Sequence, residues 1–224
     1  MHSKKFSHLR KSVAKKSYPV KEALEIIKNL QGAKFDETIE LHVRLGIDPK
    51  KGDQQIRGTV VLPNSFGASK KVAVFTTESR VSEAKEAGAD IIFTEADIAE
   101  LQKSGKIDFD IAVAIPDMMK TLAPLARFLG PKGLMPSPKN ETISNDIKKT
   151  VEQLKKGKIA FKNDDTANLH QAIGKKSMTV EQLTANYETF MDVLKKTKPT
   201  TSKGAFLKKV VLCSTMGPGL KIEA

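Results

Sequence analysis

None of the residue types that commonly carry catalysis stands in a recognisable catalytic pattern in this sequence. The stretch at residues 130–133 contains glycine and lysine, but it lacks the spacing of a phosphate-binding loop and follows a predicted helix rather than a strand. Residues 76–80 follow a predicted strand but contain no glycine that would let the backbone close around a pyrophosphate. Serine, cysteine and lysine show no nucleophile elbow or triad signature. The pattern therefore argues against an enzyme and against a bound nucleotide.

The metal-binding residue types are sparse as well. The four histidines, His2, His8, His42 and His170, do not pair with carboxylates at metal-ligand spacing, and His42 falls on the polar side of its predicted strand. Cys213 is the single cysteine, and its apolar neighbours favour a small buried hydrophobe over a reactive thiol. We therefore predict no metal, no cofactor and no internal disulfide, which fits a reducing compartment such as the cytosol.

Basic residues are concentrated at the two ends of the chain. The net charge of +12 and the isoelectric point of about 9.6 suggest a polyanionic partner. Residues 1–65 and residues 151–224 each hold thirteen basic and seven acidic residues, whereas residues 66–150 hold twelve of each. Two basic ends therefore bracket a neutral middle segment. Charge alone leaves open whether the partner is a nucleic acid or an anionic membrane surface.

The hydrophobic pattern of the two ends predicts one α+β domain. Residues 38–47 alternate apolar and polar side chains, which is typical of a half-buried strand, and residues 56–62 predict a second strand antiparallel to it. The remaining predicted elements of the two ends are helices at 20–30 and 180–194 and strands at 159–161, 169–173 and 206–213. Together they predict a split β-α-β domain, an antiparallel sheet with two helices, formed by residues 1–65 plus 157–224.

The middle of the chain has a different pattern. Short continuous apolar runs at 72–75, 91–93 and 111–115 are typical of strands buried on both faces. Helical stretches separate or follow these runs, at 79–87 before Gly88, at 94–103 before Gly105, and at 144–155. This alternation predicts an inserted α/β domain of three-layer, Rossmann-like type, formed by residues 66–156.

Nothing in the sequence predicts export or a membrane span. The longest strongly apolar run, residues 111–115, is far shorter than a span requires. The first twenty-one residues are basic but lack the apolar core of a secretory signal, so we interpret them as a retained basic arm. An organellar transit peptide has a similar composition and remains an alternative for this segment.

A set of motifs runs in order along nearly the whole chain. They are GAKFDET at 32–38, LGIDP at 45–49, DQQIRGTV at 53–60, AGAD at 87–90, LGPKGLMP at 129–136, ND at 163–164 and TMGP at 215–218. With these motifs the sequence resembles the family of bacterial ribosomal large-subunit protein one, the stalk protein beside the tRNA exit site.

The resemblance implies a structural ribosomal protein and not an enzyme. It implies binding to the 23S rRNA of the mobile stalk, assistance in releasing deacylated tRNA from the exit site, and repression of the protein's own operon mRNA. It also implies a cytoplasmic monomer within the large ribosomal subunit, with no membrane partner. Two other functions are weighed against it: a basic scaffold that docks on an anionic membrane or protein, and a nucleotide-dependent enzyme that uses the inserted domain.

The resemblance places the RNA contacts on two short segments that are distant in sequence. The first contains Lys34, Phe35 and Thr38, and the second contains Thr215, Met216 and Gly217. Because both segments adjoin strands of the same predicted domain, we expect them to meet on one surface. Lysine can neutralise phosphate, a threonine hydroxyl can bond phosphate or ribose oxygens, and glycine permits close approach of the backbone. Three of these residues have other interpretations: a core role for Phe35, packing for Met216, and solvation for Lys34.

Weaker candidates for RNA contact are Lys162, His170 and Ser214. Asp165 and Ala167 stand where the family pattern leads us to expect lysine and glycine in the turn after residues 163–164. We therefore expect little contact from that turn.

Overall fold

A computed structural model of the chain describes residues 4–14, 16–67, 71–104, 107–202 and 204–223. Contacts divide the chain into two compact units, Met1–Gly67 with Ala160–Ala224, and Ala68–Ile159. Each unit has its own sheet structure and buried core. His2 and Gly105, named in the sequence predictions, lie outside the described residues.

Strands and helices occur in both units. The strands in the described ranges are β1 Ser17–Tyr18, β2 Thr38–Leu45, β3 Arg57–Val61, β4 Val72–Phe75, β5 Ile91–Phe93, β6 Ile111–Ala114, β7 Lys158–Lys162, β8 Asn168–Lys175, β9 Leu207–Ser214 and β10 Leu220–Ile222. The α-helices there are α1 Lys4–Ser12, α2 Val20–Asn29, α3 Val81–Glu86, α4 Glu95–Ser104, α5 Met119–Leu122, α6 Ala126–Leu129, α7 Ile147–Lys155 and α8 Val180–Lys196. The helices and strands predicted from hydrophobic period are present at these places, with shifts of a few residues at their ends.

The first unit is built on a five-stranded sheet in the order β1-β10-β9-β2-β8. β2 lies in its interior and pairs antiparallel with β8 on one side and β9 on the other. Alternate residues of β2, from Ile39 to Leu45, are buried, so this strand has one covered face and one open face. α2 packs against α8, β9 and β10, and α8 also packs against β8, which covers one side of the sheet. The other face carries Thr38, Glu40, His42 and Arg44, and we call it the open face.

α8 begins at a capping box. The Thr179 hydroxyl accepts a hydrogen bond from the backbone N–H of Gln182, and the Gln182 side chain accepts one from the backbone N–H of Thr179. Apolar residues at helical spacing, including Leu183, Phe190 and Leu194, are fully buried. The helix therefore has a fixed start and one continuous apolar face, and it supports the sheet from which the candidate site projects.

Three features of the first unit differ from the sequence prediction. β3 pairs with β7 and not with β2, because both edges of β2 are occupied by β8 and β9. Asn163 fixes this pairing: its side-chain oxygen accepts from the N–H of Ile56 at 2.7 Å, and its own N–H donates to the carbonyl of Ile56 at 3.1 Å. β1 and β10, which were not predicted, add a parallel pair at the sheet edge, so the sheet is not wholly antiparallel. α1 lies in the segment interpreted as a basic arm.

The second unit contains three parallel strands in the order β5-β4-β6. The four residues of β4, from Val72 to Phe75, are all buried, as expected for a strand covered on both faces. α7 and α3 pack on one another, and α7 also contacts β4 and β6. Asp146 caps α7 by accepting from the N–H of Lys149. The predicted strands and helices of the middle segment are therefore present.

No helix in the part of the chain that the structure describes is long and apolar enough to cross a membrane.

Candidate nucleic-acid interface

The two segments expected to meet are in direct contact. The backbone N–H of Thr38 donates to the hydroxyl oxygen of Thr215 at 3.0 Å, although the two residues are 177 positions apart. The Thr215 hydroxyl and the Thr215 N–H both donate to the carbonyl of Thr38, at 3.2 and 3.0 Å. This contact extends the pairing of β2 with β9, in which Ile39 lies opposite Ser214. We call residues 34–38 together with residues 214–217 the paired-loop surface.

A buried carboxylate, Glu37, joins the two loops from below. Glu37 is only 1% exposed. Its carboxylate accepts hydrogen bonds from the N–H of Ala33 and from the N–H of Met216, the latter at 3.5 Å. Its backbone carbonyl accepts from the N–H of Lys176 at 2.8 Å. Burial raises the pKa of Glu37, but bonds from the Ser214 hydroxyl and the two N–H groups, with the charge of Lys176, lower that pKa below its usual value overall. The carboxylate is therefore ionised at neutral pH.

Two glycines give this carboxylate and its hydroxyl partner their space. A Cβ at Gly32 would clash with the carboxylate oxygen of Glu37, and a Cβ at Gly217 would clash with the hydroxyl oxygen of Ser214. Ser214 itself is buried, at 3% exposure, and its carbonyl accepts from the N–H of Gly217 at 3.0 Å. Ser214, a weaker candidate for RNA contact, thus lies beneath the surface and supports it.

Three residues project from the supported loops into solvent. Phe35 is 57% exposed and Met216 is 58% exposed, and Lys34 is exposed as well. The core role for Phe35 and the packing role for Met216, weighed as alternatives in the sequence, are therefore wrong. The paired-loop surface thus exposes an aromatic ring, a thioether and an ammonium group, which can contact bases and phosphates.

The hydroxyl groups of Thr38 and Thr215 form different hydrogen bonds. The Thr215 hydroxyl donates its hydrogen to the carbonyl of Thr38 and so links the two segments. The Thr38 hydroxyl accepts from the Lys175 ammonium at 2.9 Å, which leaves its hydrogen to be donated outward. Lys175 lies opposite Thr38 in the register of β2 with β8, and it places a cation beside the paired-loop surface.

Residues 176–177, directly after β8, form hydrogen bonds to residues 30 and 36 and so hold the first segment in place. The Asp36 carboxylate accepts from the N–H and the hydroxyl of Ser177, at 3.1 and 2.8 Å. The Lys176 ammonium donates to the carbonyl of Leu30 at 2.6 Å. Glu37, Asp36, Lys175 and Lys176 were not predicted as site residues, although Glu37 and Asp36 lie inside the motif at residues 32–38.

Lys162 and His170 are not brought to the paired-loop surface. His170 lies five positions along β8 from Lys175, which is about 17 Å at the rise of an extended strand. Lys162 is exposed at the end of β7.

The turn between Lys162 and His170 contains Asp164. Partial burial raises the pKa of Asp164, but hydrogen bonds from the side chain and N–H of Thr166 and from Asn168 outweigh this effect and lower the pKa from 3.8 to about 2. Ala167 adopts a φ of 62°, the left-handed conformation that favours glycine, the residue expected at this position from the resemblance.

A basic cavity lies next to the segment 214–217 of the paired-loop surface. It has a volume of about 370 Å³ and lies beside Pro218 and Gly219. The described residues that line it include the cations Arg10, Lys16, Lys209 and Lys221 and no carboxylate. The positive charge inferred from the chain ends is thus placed next to the turn at 214–217.

Cys213 is half-buried on the open face rather than fully buried. Burial, and the nearby negative charge of Glu40, raise the pKa of the Cys213 thiol to about 11. The thiol is therefore protonated at neutral pH, which agrees with the expectation that it is not a reactive nucleophile.

Comparison with known proteins defines the class of the chain and then its family. Residues 26–218 match a family of ribosomal proteins, the ribosomal protein L1p/L10e family, so the chain is a structural protein and not an enzyme. It is 48% identical over 222 residues to the large ribosomal subunit protein uL1 of Kosmotoga olearia, a match that covers 99% of this chain and 96% of that protein. It is 47% identical over 224 residues to the protein of the same name from Thermosipho melanesiensis, with the same coverage. The chain belongs to the ribosomal protein L1p/L10e family.

Proposed function

We propose that this protein is a structural component of the large ribosomal subunit that binds the 23S rRNA of the mobile stalk through the paired-loop surface. The observation that carries the proposal is the arrangement around Glu37. A buried, ionised carboxylate and the Thr38–Thr215 hydrogen bonds hold two distant segments together. The same arrangement leaves Lys34, Phe35 and Met216 exposed.

Each exposed group supplies one kind of contact. The Lys34 ammonium neutralises a phosphate, and the hydroxyl hydrogen of Thr38 is donated to a phosphate or ribose oxygen. The Phe35 ring stacks on an unpaired base, and Met216 packs on the neighbouring sugar or base. Gly217 lets the backbone approach the RNA closely. Specificity then comes from the shape of the folded RNA and from 2′-hydroxyl contacts, since the deep groove of an RNA helix cannot be read by side chains.

We infer a domain role for each part of the chain. Residues 1–65 with 157–224 act as the RNA-binding domain, of split β-α-β type, and residues 66–156 act as an inserted domain of Rossmann-like type. Support comes from the charge, since all but one unit of the net charge of +12 lies in the two ends, and from the separate core of each compact unit.

The resemblance extends the proposal to three further roles. The protein assists release of deacylated tRNA from the exit site, represses translation of its own operon mRNA through a similar RNA structure, and acts in the cytoplasm as a monomer within the subunit. These roles rest on the family and on the full-length match to relatives named as large ribosomal subunit proteins.

A binding titration tests the RNA proposal. A transcribed fragment of the stalk rRNA is titrated with wild-type protein in the presence of excess random duplex RNA, and we expect binding to persist. Because stacking of a base on an aromatic ring contributes roughly 1–3 kcal/mol, Phe35→Ala should weaken binding by roughly 5- to 150-fold. Phe128→Ala is the matched control, because Phe128 is exposed but lies in the other unit.

Three results would count against the proposal. Equal affinity for unrelated RNA would contradict a ribosomal site, and equal loss on Phe128→Ala would contradict the paired-loop surface. Binding to anionic vesicles as tight as binding to the rRNA fragment would favour the basic scaffold instead, because lysine attracts both surfaces by the same Coulomb interaction.

A further inference from the structure

A second cluster of chemically active side chains lies on the open face, away from the paired-loop surface. The imidazole nitrogen Nε2 of His42 lies 3.1 Å from the sulfur of Cys213 and 3.7 Å from a carboxylate oxygen of Glu40. One ligand atom from each of the three residues lies within 4.8 Å of the other two. Across the described part of the chain, this is the single group of three or more such residues that close together.

The sheet itself creates this cluster. Glu40 and His42 are two positions apart on β2, so their side chains project from the same face. Cys213 lies directly opposite Glu40 in the register of β2 with β9, although it is 171 positions from His42 in sequence. Because β2 and β9 are both interior strands, the three side chains stand on a rigid support. Sequence spacing could not reveal the group, which is why no metal site was predicted.

A fourth residue orients the imidazole. The Nδ1 atoms of His42 and His170 are 2.7 Å apart, and Nε2 of His170 lies 3.7 Å from a carboxylate oxygen of Asp164. When His42 donates from Nδ1 to His170, the lone pair on its Nε2 points toward the Cys213 sulfur and the Glu40 carboxylate. A metal-ligating histidine usually donates its other ring N–H to a neighbouring acceptor, which fixes its tautomer, and here the imidazole of His170 is that acceptor.

We propose that Glu40, His42 and Cys213 bind one Zn²⁺ ion. Thiolate, imidazole and carboxylate together form a donor set that zinc accepts, whereas Mg²⁺ and Ca²⁺ take oxygen ligands. Binding displaces the thiol proton of Cys213 to solvent and forms the sulfur–zinc bond, with no change of oxidation state. Glu40 and His42 are partly exposed, so the fourth coordination position faces solvent and is filled by water or by an anionic ligand. The proposal does not depend on the RNA-binding function.

Cobalt provides the first test, because Co²⁺ occupies zinc sites and its thiolate bond has a charge-transfer absorption band. Full-length protein without an affinity tag is stripped with a chelator and titrated with Co²⁺ and then with Zn²⁺. We expect one Co²⁺ per chain, a thiolate charge-transfer band, and loss of the band as Zn²⁺ displaces the cobalt. Cys213→Ser should abolish the band, and His42→Gln should weaken Co²⁺ binding at least ~10-fold. His8→Gln, a histidine change on α1 outside the cluster, should have no effect.

His170 is a positioning residue in this site, and its variant tests that role. His170→Gln should keep the charge-transfer band, because the three ligands remain, while Co²⁺ affinity falls ~10- to 100-fold. Circular dichroism verifies that each variant is folded.

A second measurement uses the wild-type protein alone and does not depend on any variant folding. Cys213 is the only cysteine, so its rate of reaction with a maleimide reports directly on the thiol. We expect one equivalent of Zn²⁺ to slow this reaction at least ~10-fold. An unchanged maleimide rate, absence of a charge-transfer band at stoichiometric Co²⁺, or an equal loss of Co²⁺ binding on His8→Gln would overturn the proposal.

Discussion

Replacing the buried carboxylate of Glu37 by its neutral isostere should loosen the paired-loop surface and destabilise the first unit. In the wild type, this carboxylate accepts from the N–H groups of Ala33 and Met216 and from the Ser214 hydroxyl, and the charge of Lys176 favours its ionised form. Glu37→Gln keeps one acceptor oxygen and places an NH₂ group where the other oxygen stood. That group faces a donor, so one buried N–H loses its partner.

The magnitude follows from these contacts. A hydrogen bond to a charged group contributes about 1.5–3 kcal/mol and a neutral one about 0.5–1.5 kcal/mol. Loss of one charged bond and weakening of the others give an expected decrease of about 2–4 kcal/mol in the free energy of unfolding. Because Met216 and Lys34 would then be less well positioned, we also expect the affinity for stalk rRNA to fall by about tenfold.

Urea unfolding followed by tyrosine fluorescence is the appropriate assay. The chain has two tyrosines and no tryptophan, and Tyr18 and Tyr187 are both buried in the first unit, so the signal reports on that unit. Glu188→Gln is the matched control: it makes the same chemical change at an exposed position of α8 and should alter stability by less than about 0.5 kcal/mol. A Glu37→Gln protein as stable as this control, with unchanged rRNA affinity, would refute the role assigned to the carboxylate.

Three further predictions concern charge, packing and pH. Lys34→Ala should reduce the slope of log affinity against log salt concentration by about 1, while Lys132→Ala, at an exposed site of the other unit, leaves it unchanged; titrations at several salt concentrations check this. Gly174→Ala should lower the free energy of unfolding by about 1–3 kcal/mol in thermal or urea unfolding, because its Cβ would meet the buried Leu183 side chain of α8 and the Met178 sulfur, the latter at 2.9 Å. The pKa of Asp164 is about 2 in the folded chain against 3.8 ordinarily, so its stabilisation is full above about pH 4 and is lost as the pH falls toward 2. Asp164→Asn should therefore flatten the acid limb of a stability profile in that interval, and an unchanged profile would contradict the folded-state hydrogen bonds.

The hydrophobic period located β2 and α8 correctly because each buries one regular face. It placed β3 beside β2 wrongly, since period reports which face of a strand is buried but not which neighbour the strand takes. That choice is made by Asn163, whose side chain and backbone both bond Ile56 from more than a hundred residues away. β1 and β10 are only two and three residues long, too short to show an alternating pattern.

The candidate site was predictable in part, for a related reason. Family motifs named Lys34 and Met216, and the charge distribution pointed to the ends of the chain. The role of Glu37 could not be predicted, because in sequence a glutamate close to Lys34 and Phe35 cannot be distinguished from an ordinary surface carboxylate. Only the folded chain shows that it is buried among donors. The cluster of His42 with Cys213 could not be predicted either, because only the register of β2 with β9 brings these two residues together.

The central claim is that two distant segments form one RNA-contact surface, and amide hydrogen exchange tests it most directly. Exchange in the full-length protein is measured with and without the stalk rRNA fragment, and peptides report each segment separately. We predict that peptides covering residues 32–38 and 214–219 both exchange more slowly when RNA is bound, while peptides covering residues 119–135 do not change. Protection of only one of the two segments, or protection of residues 119–135 in their place, would contradict the account.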